Sequence, residues 1–129
     1  MTMLEPGAAR QILDRMLAGG GDHAEVYLEE RVGTAIHLDD GRIEEVIAGH
    51  DRGAALRLVD GDRTLFASTN RADVSGLEEA ADRLTASRHG AAPSQAAPFR
   101  PSRGGTPPPV LRPPGEVPLG EKVEVLHRA

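Results

Sequence analysis

The chain has 129 residues, with 15 Lys plus Arg against 20 Asp plus Glu and a formal net charge of −5. It is one domain's worth of sequence and has no basic surplus with which to bind nucleic acid. Cysteine is absent, which excludes disulfide scaffolds, thiol catalysis and cysteine-held zinc. No apolar run approaches the ~20 residues of a membrane span, and the N-terminus lacks the basic start and apolar stretch of a signal peptide. A soluble, cytoplasmic protein with no nucleic-acid or membrane partner is expected.

In chain order, residues 3–18 read as a helix. Thr2 followed by Glu5 fits a capping box, and Ala9, Ile12, Leu13, Met16 and Leu17 form one apolar stripe that Gly19-Gly20-Gly21 brings to a stop. Residues 24–30 alternate, with Ala24, Val26 and Leu28 on one face and Glu25, Tyr27 and Glu29 on the other. Residues 34–39 alternate again, and Asp40-Gly41 signals a type I′ hairpin. After that turn the apolar face is restored only if a β-bulge at Glu44-Glu45 sets Val46 opposite Ile36.

A fourth strand is expected over about residues 53–59 and a fifth over 63–69. A turn at Gly61-Asp62 pairs Leu58 with Leu65 and Leu56 with Ala67 inside, and Arg57 with Phe66 and Val59 with Thr64 outside. Ser75 and Glu78 fit a second capping box, ahead of a stripe of Val74, Leu77, Ala81 and Leu84. The expected fold is α+β: a five-stranded, mainly antiparallel sheet with two helices on one face.

Composition changes after Gly90. Residues 1–90 carry 10 basic and 17 acidic side chains, residues 91–129 carry 5 and 3, and nine of the ten prolines follow position 92. Ala91–Pro118 has only Phe99, Val110, Leu111 and Val117 as large apolar residues, too few to form a core. An extended arm without regular secondary structure is expected. A proline-rich ligand for an SH3-like groove, at Thr106-Pro107-Pro108-Pro109 or Arg112-Pro113-Pro114, is the sharper alternative. Leu119, Val123 and Leu126 then recur at helical spacing, with Pro118 suited to a first helical position; this last helix is expected to be cut short.

Residue chemistry offers no active site. The five histidines, His23, His37, His50, His89 and His127, fall in no ligand spacing. His23 and Glu25 share a strand face, but two ligands are not a metal site. His50-Asp51-Arg52 reads as a charged turn between strands. The paired acids Glu29-Glu30, Asp39-Asp40, Glu44-Glu45 and Glu78-Glu79 are sequence neighbours, and on a strand such neighbours point apart. Ser68 and Thr69 have no adjacent base, and the glycines include no phosphate-binding spacing.

Five elements stand in a distinctive order: Ala24-Glu25-Val26-Tyr27-Leu28-Glu29-Glu30, the hairpin Asp40-Gly41-Arg42-Ile43-Glu44-Glu45-Val46, Asp51-Arg52-Gly53, Phe66-Ala67-Ser68-Thr69-Asn70 and the helix from Ser75. Together they resemble the N-terminal domain of the TldD/PmbA family of metallopeptidases, and Pro118–Ala129 is similar to the segment that begins the family's next helix. On this basis residues 1–90 are the domain, 91–118 a Pro-rich arm and 119–129 the start of a truncated helix.

The resemblance implies a soluble, dimeric peptidase of small peptides, described through microcin maturation, toxin–antitoxin degradation and gyrase modulation, with its active site enclosed in a chamber. It also implies a divalent metal, with zinc expected, held by a His-Glu-x-x-x-His helix and a ligand near the C-terminus. Neither feature occurs in this sequence. No catalytic or metal-binding residue is therefore assigned, and the chain is expected to hold no cofactor. It is read as a non-catalytic N-terminal domain or truncated product that serves assembly. Its expected partners are the catalytic half or a TldD/PmbA-type subunit, with small peptides as substrates of the full-length protein. The alternative is a stand-alone binding or regulatory module that pairs with a full-length relative. Two departures from the family pattern, Ala54-Ala55-Leu56 after the Arg-Gly pair and Leu65 where glycine is common, imply a tighter or shifted sheet face.

One surface stands out in this reading. The outer sheet face carries Tyr27, Phe66, Ala35, Ala55 and Val59 among Glu25, Glu29, His37 and Arg57, so two of the chain's three aromatic residues face solvent. Either the register slips by one and Phe66 belongs to the core, or Tyr27, Arg57 and Phe66 mark an interface.

Overall fold

Helix α1 spans Pro6–Leu17. Strand β1 spans His23–Asp39, β2 spans Arg42–Asp60 and β3 spans Arg63–Thr69. Helix α2 follows at Val74–Ala86, a single 3-10 turn at Pro114–Glu116, and α3 at Leu119–His127. The computed structural model describes residues 4–88, 93–98, 100, 102, 104–106 and 108–129. The sheet is antiparallel, in the order β1-β2-β3. The α+β class is as expected, but the five strands are three.

The merging has a plain cause. Nothing in Arg31-Val32-Gly33 enforces a turn; Gly33 keeps a negative φ, and β1 includes all three residues. Likewise His50-Asp51-Arg52 is not a charged turn but part of β2, because charged side chains leave a strand unbroken where no Gly-Asn or Pro signal stops it. The real turns are the two with special backbone. Asp40 and Gly41 have φ of 46° and 70°, the paired positive values of a type I′ turn. Gly61, at φ 59°, occupies the first loop position between β2 and β3, and its N–H is held by the Asp22 carboxylate at 2.7 Å.

Contacts divide the chain into two units, Met1–Glu30 with Arg52–Pro101 and Arg31–Asp51 with Ser102–Ala129. The first has the core. Ile12, Met16 and Leu17 of α1 meet Ala54, Leu56 and Leu58 of β2 and Leu77, Ala80, Ala81 and Leu84 of α2, all buried; Ala24, Val26, Leu28, Leu65 and Ala67 pack at its margin. Within this unit, even-numbered residues of β1 and β2 and odd-numbered residues of β3 thus face the helices, and the opposite set faces away. The β2–β3 register is Leu56 to Ala67, Arg57 to Phe66, Leu58 to Leu65 and Val59 to Thr64, as the sequence pattern predicts. Leu65, at the position marked as a departure, is half-buried at the core margin.

The caps differ from expectation. Glu5 is the N-cap of α1, without a side-chain bond, and Pro6 follows at the first helical position; Thr2 lies outside the described residues. For α2 the cap is Asp73, whose Oδ1 accepts from the Gly76 N–H at 2.7 Å, and not Ser75. A carboxylate two residues earlier reaches the free amides first, so the helix starts at Val74. Being at that rim, Val74 is 40% exposed and outside the buried stripe.

Arg88 closes the first unit. Its side chain is 4% exposed, donates to the carbonyls of Met16 and Gly20 at the end of α1, and lies 3.9 Å from the Asp60 carboxylate. A cation at the helix C-terminus is favoured there by the unpaired carbonyls and the helix dipole. Beyond it, Ser94 donates from its amide to Leu17 O at 3.1 Å and from its hydroxyl to Gly21 O at 2.8 Å. The Ala96 amide donates to Asp14 Oδ1 at 2.9 Å, and Arg10 donates to the Ala96 carbonyl. Ser94 and Ala96 are therefore fastened although they lie in no helix or strand.

In the second unit, Ile36, Leu38 and Ile43 are half-buried, while Val32, Val46 and Ile47 are exposed. Val46 is exposed whichever residue of β1 it faces, since a two-stranded ribbon buries little. The described part of 91–118 has no regular structure apart from the turn at Pro114–Glu116; Phe99 and His89 lie outside the described residues. Pro118 is the N-cap of α3 and not its first residue, and Arg112 forks onto Glu121 in the first turn at 2.7 and 2.9 Å. Among the described residues, no helix is long and apolar enough to cross a membrane.

Candidate functional site

In the first unit the sheet face turned away from the helices carries Glu25, Tyr27 and Glu29 from β1, Ala55, Arg57 and Val59 from β2, and Thr64, Phe66 and Ser68 from β3. Phe66 is 66% exposed and Tyr27 57%. Since the register holds as read, Phe66 is not a core residue. Ala35 and His37, which the sequence reading placed on the same face, are exposed residues of the second unit.

Arg57 stands at the middle of this face, directly opposite Phe66 in the ladder. Its Nε and Nη2 donate to the two carboxylate oxygens of Glu25 on β1, at 2.7 and 2.8 Å. Such a two-pronged bond fixes a long side chain better than a single contact does. The Arg57 fork, and after it His23 at 3.4 Å, hold the Glu25 carboxyl down to about 2. The Tyr27 hydroxyl donates to Glu29 at 2.7 Å. The result is a flat face in which polar groups satisfy one another around two exposed rings. What it presents for contact is chiefly the two rings, 66% and 57% exposed.

His23 and Glu25 do come together, and both Glu25 oxygens accept from the Arg57 guanidinium, whose positive charge opposes a cation at that carboxylate. Among the described residues no three His, Asp or Glu side chains converge.

Sequence reasoning placed Tyr27, Arg57 and Phe66 correctly on one face. It missed the Glu25–Arg57 pair, although its signal was present: an acid and a base at outward positions of neighbouring strands. It also missed Asp22 and Arg88, whose partners are backbone groups far along the chain and leave no residue-type pattern.

The sequence profile described as PmbA/TldA metallopeptidase domain 1 matches residues 24–88. That stretch begins in β1 and ends at Arg88, taking in the sheet, its outer face and α2. No curated protein matches the chain. With half of its residues covered by the profile, the chain belongs to the PmbA/TldD metallopeptidase family and carries the family's first domain.

Proposed function

We propose that this chain is a non-catalytic N-terminal domain of a TldD/PmbA-type, metal-dependent peptidase of small peptides, and that it serves assembly and the shaping of the substrate chamber. Residues 1–90 act as the domain, 91–118 as its arm and 119–129 as the opening of a further helix. The metal, expected to be zinc, and the groups that cleave the peptide come from the catalytic half.

The observation that carries this reading is the exposure of Phe66 and Tyr27 on a sheet face that the helices leave open. Large aromatic side chains on a flat, hydrogen-bonded sheet are what an interface core needs, and Arg57, fixed by Glu25, adds a rigid polar contact. The occupant is the catalytic half of a TldD/PmbA-type subunit, because family membership makes this domain one part of a metallopeptidase.

Hydrogen exchange tests it. On mixing with a TldD/PmbA-type subunit, backbone amides of residues 25–29, 55–59 and 64–68 become protected while α1 and α2 exchange as before. Protection confined to the helices, or none at all, refutes the assignment of this face.

A further inference from the structure

Two of the short motifs noted in the sequence meet in space. Arg52-Gly53 of β2 and Ser68-Thr69-Asn70 at the end of β3 line one open concavity of about 610 Å³ with Arg71 and Arg83. It lies where the ladder ends: Ala54 opposite Thr69 is the last β2–β3 pair, and β2 continues past it.

Charge bookkeeping in the first unit gives this place its meaning. Arg10, Arg15, Arg57, Arg63, Arg71 and Arg88 each stand within 4 Å of a carboxylate. Among the described residues of that unit up to Arg88, Arg52 and Arg83 do not, and both line this concavity. Arg71 is neutralised by Glu79, whose oxygens accept from its Nη1 at 2.9 and 3.0 Å, and its Nη2 donates to Ser75. The cavity wall thus has a closed ion pair and two guanidinium groups in surplus, on a chain of net charge −5.

Arg52 is also held in place, since its Nη2 donates to the Ala72 carbonyl at 3.0 Å and leaves the rest of its fork open. The hydroxyl of Ser68 and the amide of Asn70 add neutral groups at the rim. A guanidinium fork matches the two oxygens of a carboxylate, and a pre-set fork loses less freedom on binding.

We propose that this concavity is a binding site for a carboxylate at a peptide chain end, gripped by Arg52 and Arg83. The site is open to water, so its affinity is in the millimolar range. The experiment is an amide-resolved NMR titration of the whole chain with N-acetyl-dialanine bearing a free C-terminal carboxylate. The same peptide amidated at its C-terminus and inorganic phosphate are run in parallel.

Saturable shifts are expected at Arg52, Gly53, Ser68, Asn70 and Arg83 with the free carboxylate, and at least about tenfold weaker binding of the amidated peptide. R83Q, a change at a side chain that makes no hydrogen bond or ion pair among the described residues, weakens binding by about tenfold with the rest of the spectrum unchanged. R52Q does the same provided its spectrum stays native. No saturable shift at these residues, equal binding of the amidated peptide, or R83Q binding like the parent overturns the proposal. So does saturation by phosphate at a concentration where the carboxylate peptide gives none.

Discussion

Replacing Gly76 by Ala reverses the usual sign of a helix substitution. In an exposed helix the change gains about 1 kcal/mol, because alanine restricts the unfolded chain and suits the helix. At Gly76, in the first turn of α2, a Cβ would lie 2.5 Å from Arg71 Cβ and 3.0 Å from its carbonyl carbon, with the carbonyl oxygen closer still. Two of these three atoms are backbone and cannot rotate away. Either the helix start or the Arg71–Asp73 segment must move. That segment carries the Asp73 cap, whose bond to Gly76 N–H is 2.7 Å long.

Overpacking of this kind costs about 2 kcal/mol and the loosened cap about 1. Against the gain of about 1, the net destabilisation is about 2 kcal/mol, or roughly 10 °C in Tm. Thermal unfolding followed by circular dichroism reads it. Gly7→Ala is the control, since nothing lies within 4 Å of a Cβ there; that variant unfolds at the parental temperature or above. A G76A protein as stable as G7A would refute the reasoning.

Three further outcomes follow from particular bonds. The Glu25 carboxyl, followed by NMR, titrates at about 2, and in Arg57→Gln it returns toward 4.5. Because its folded pKa is depressed, the pair's contribution to stability is complete above pH 4.5 and is lost as the pH falls through 2; a parental value near 4.5 contradicts the fork. Arg88→Ala leaves the Met16 and Gly20 carbonyls and Asp60 without their cation and lowers stability by about 2–4 kcal/mol in urea unfolding, whereas a loss under about 0.5 would deny it that role. Leu56→Ala opens a cavity at a fully buried position and costs about 2–5 kcal/mol by the same assay, while Leu111→Ala, 97% exposed, changes it by less than about 0.5.

How much of this was legible in the sequence follows from the range of each interaction. The alternation of Ala24-Val26-Leu28 and of Leu56-Leu58 against Leu65-Ala67 fixes the faces, since a strand has period two and one covered side. It therefore placed Phe66 and Arg57 outside correctly. Strand ends were less readable: an extended chain at Arg31-Val32-Gly33 or His50-Asp51-Arg52 continues wherever a neighbour supplies hydrogen bonds, and one residue's type does not say whether it does. The α2 cap fell to Asp73 because Ser75, Glu78 and Asp73 all have capping chemistry, and only geometry chooses among them. The outer face was legible residue by residue, but its Glu25–Arg57 lock is a contact across 32 positions of sequence. The concavity at Arg52 and Arg83 was less visible still, because it depends on which cations remain unpaired once every other pair has formed.

The central claim is that the outer sheet face docks the catalytic half of a TldD/PmbA-type subunit, and Phe66→Ser tests it most directly. Phe66 is 66% exposed, so the isolated chain should keep its fold and its Tm within about 3 °C. Burying the ring in a complex contributes about 1–2 kcal/mol, so the variant should bind the subunit about 5- to 30-fold more weakly in sedimentation or calorimetry. Unfolding of the isolated variant, or binding equal to that of the parent, would contradict the account.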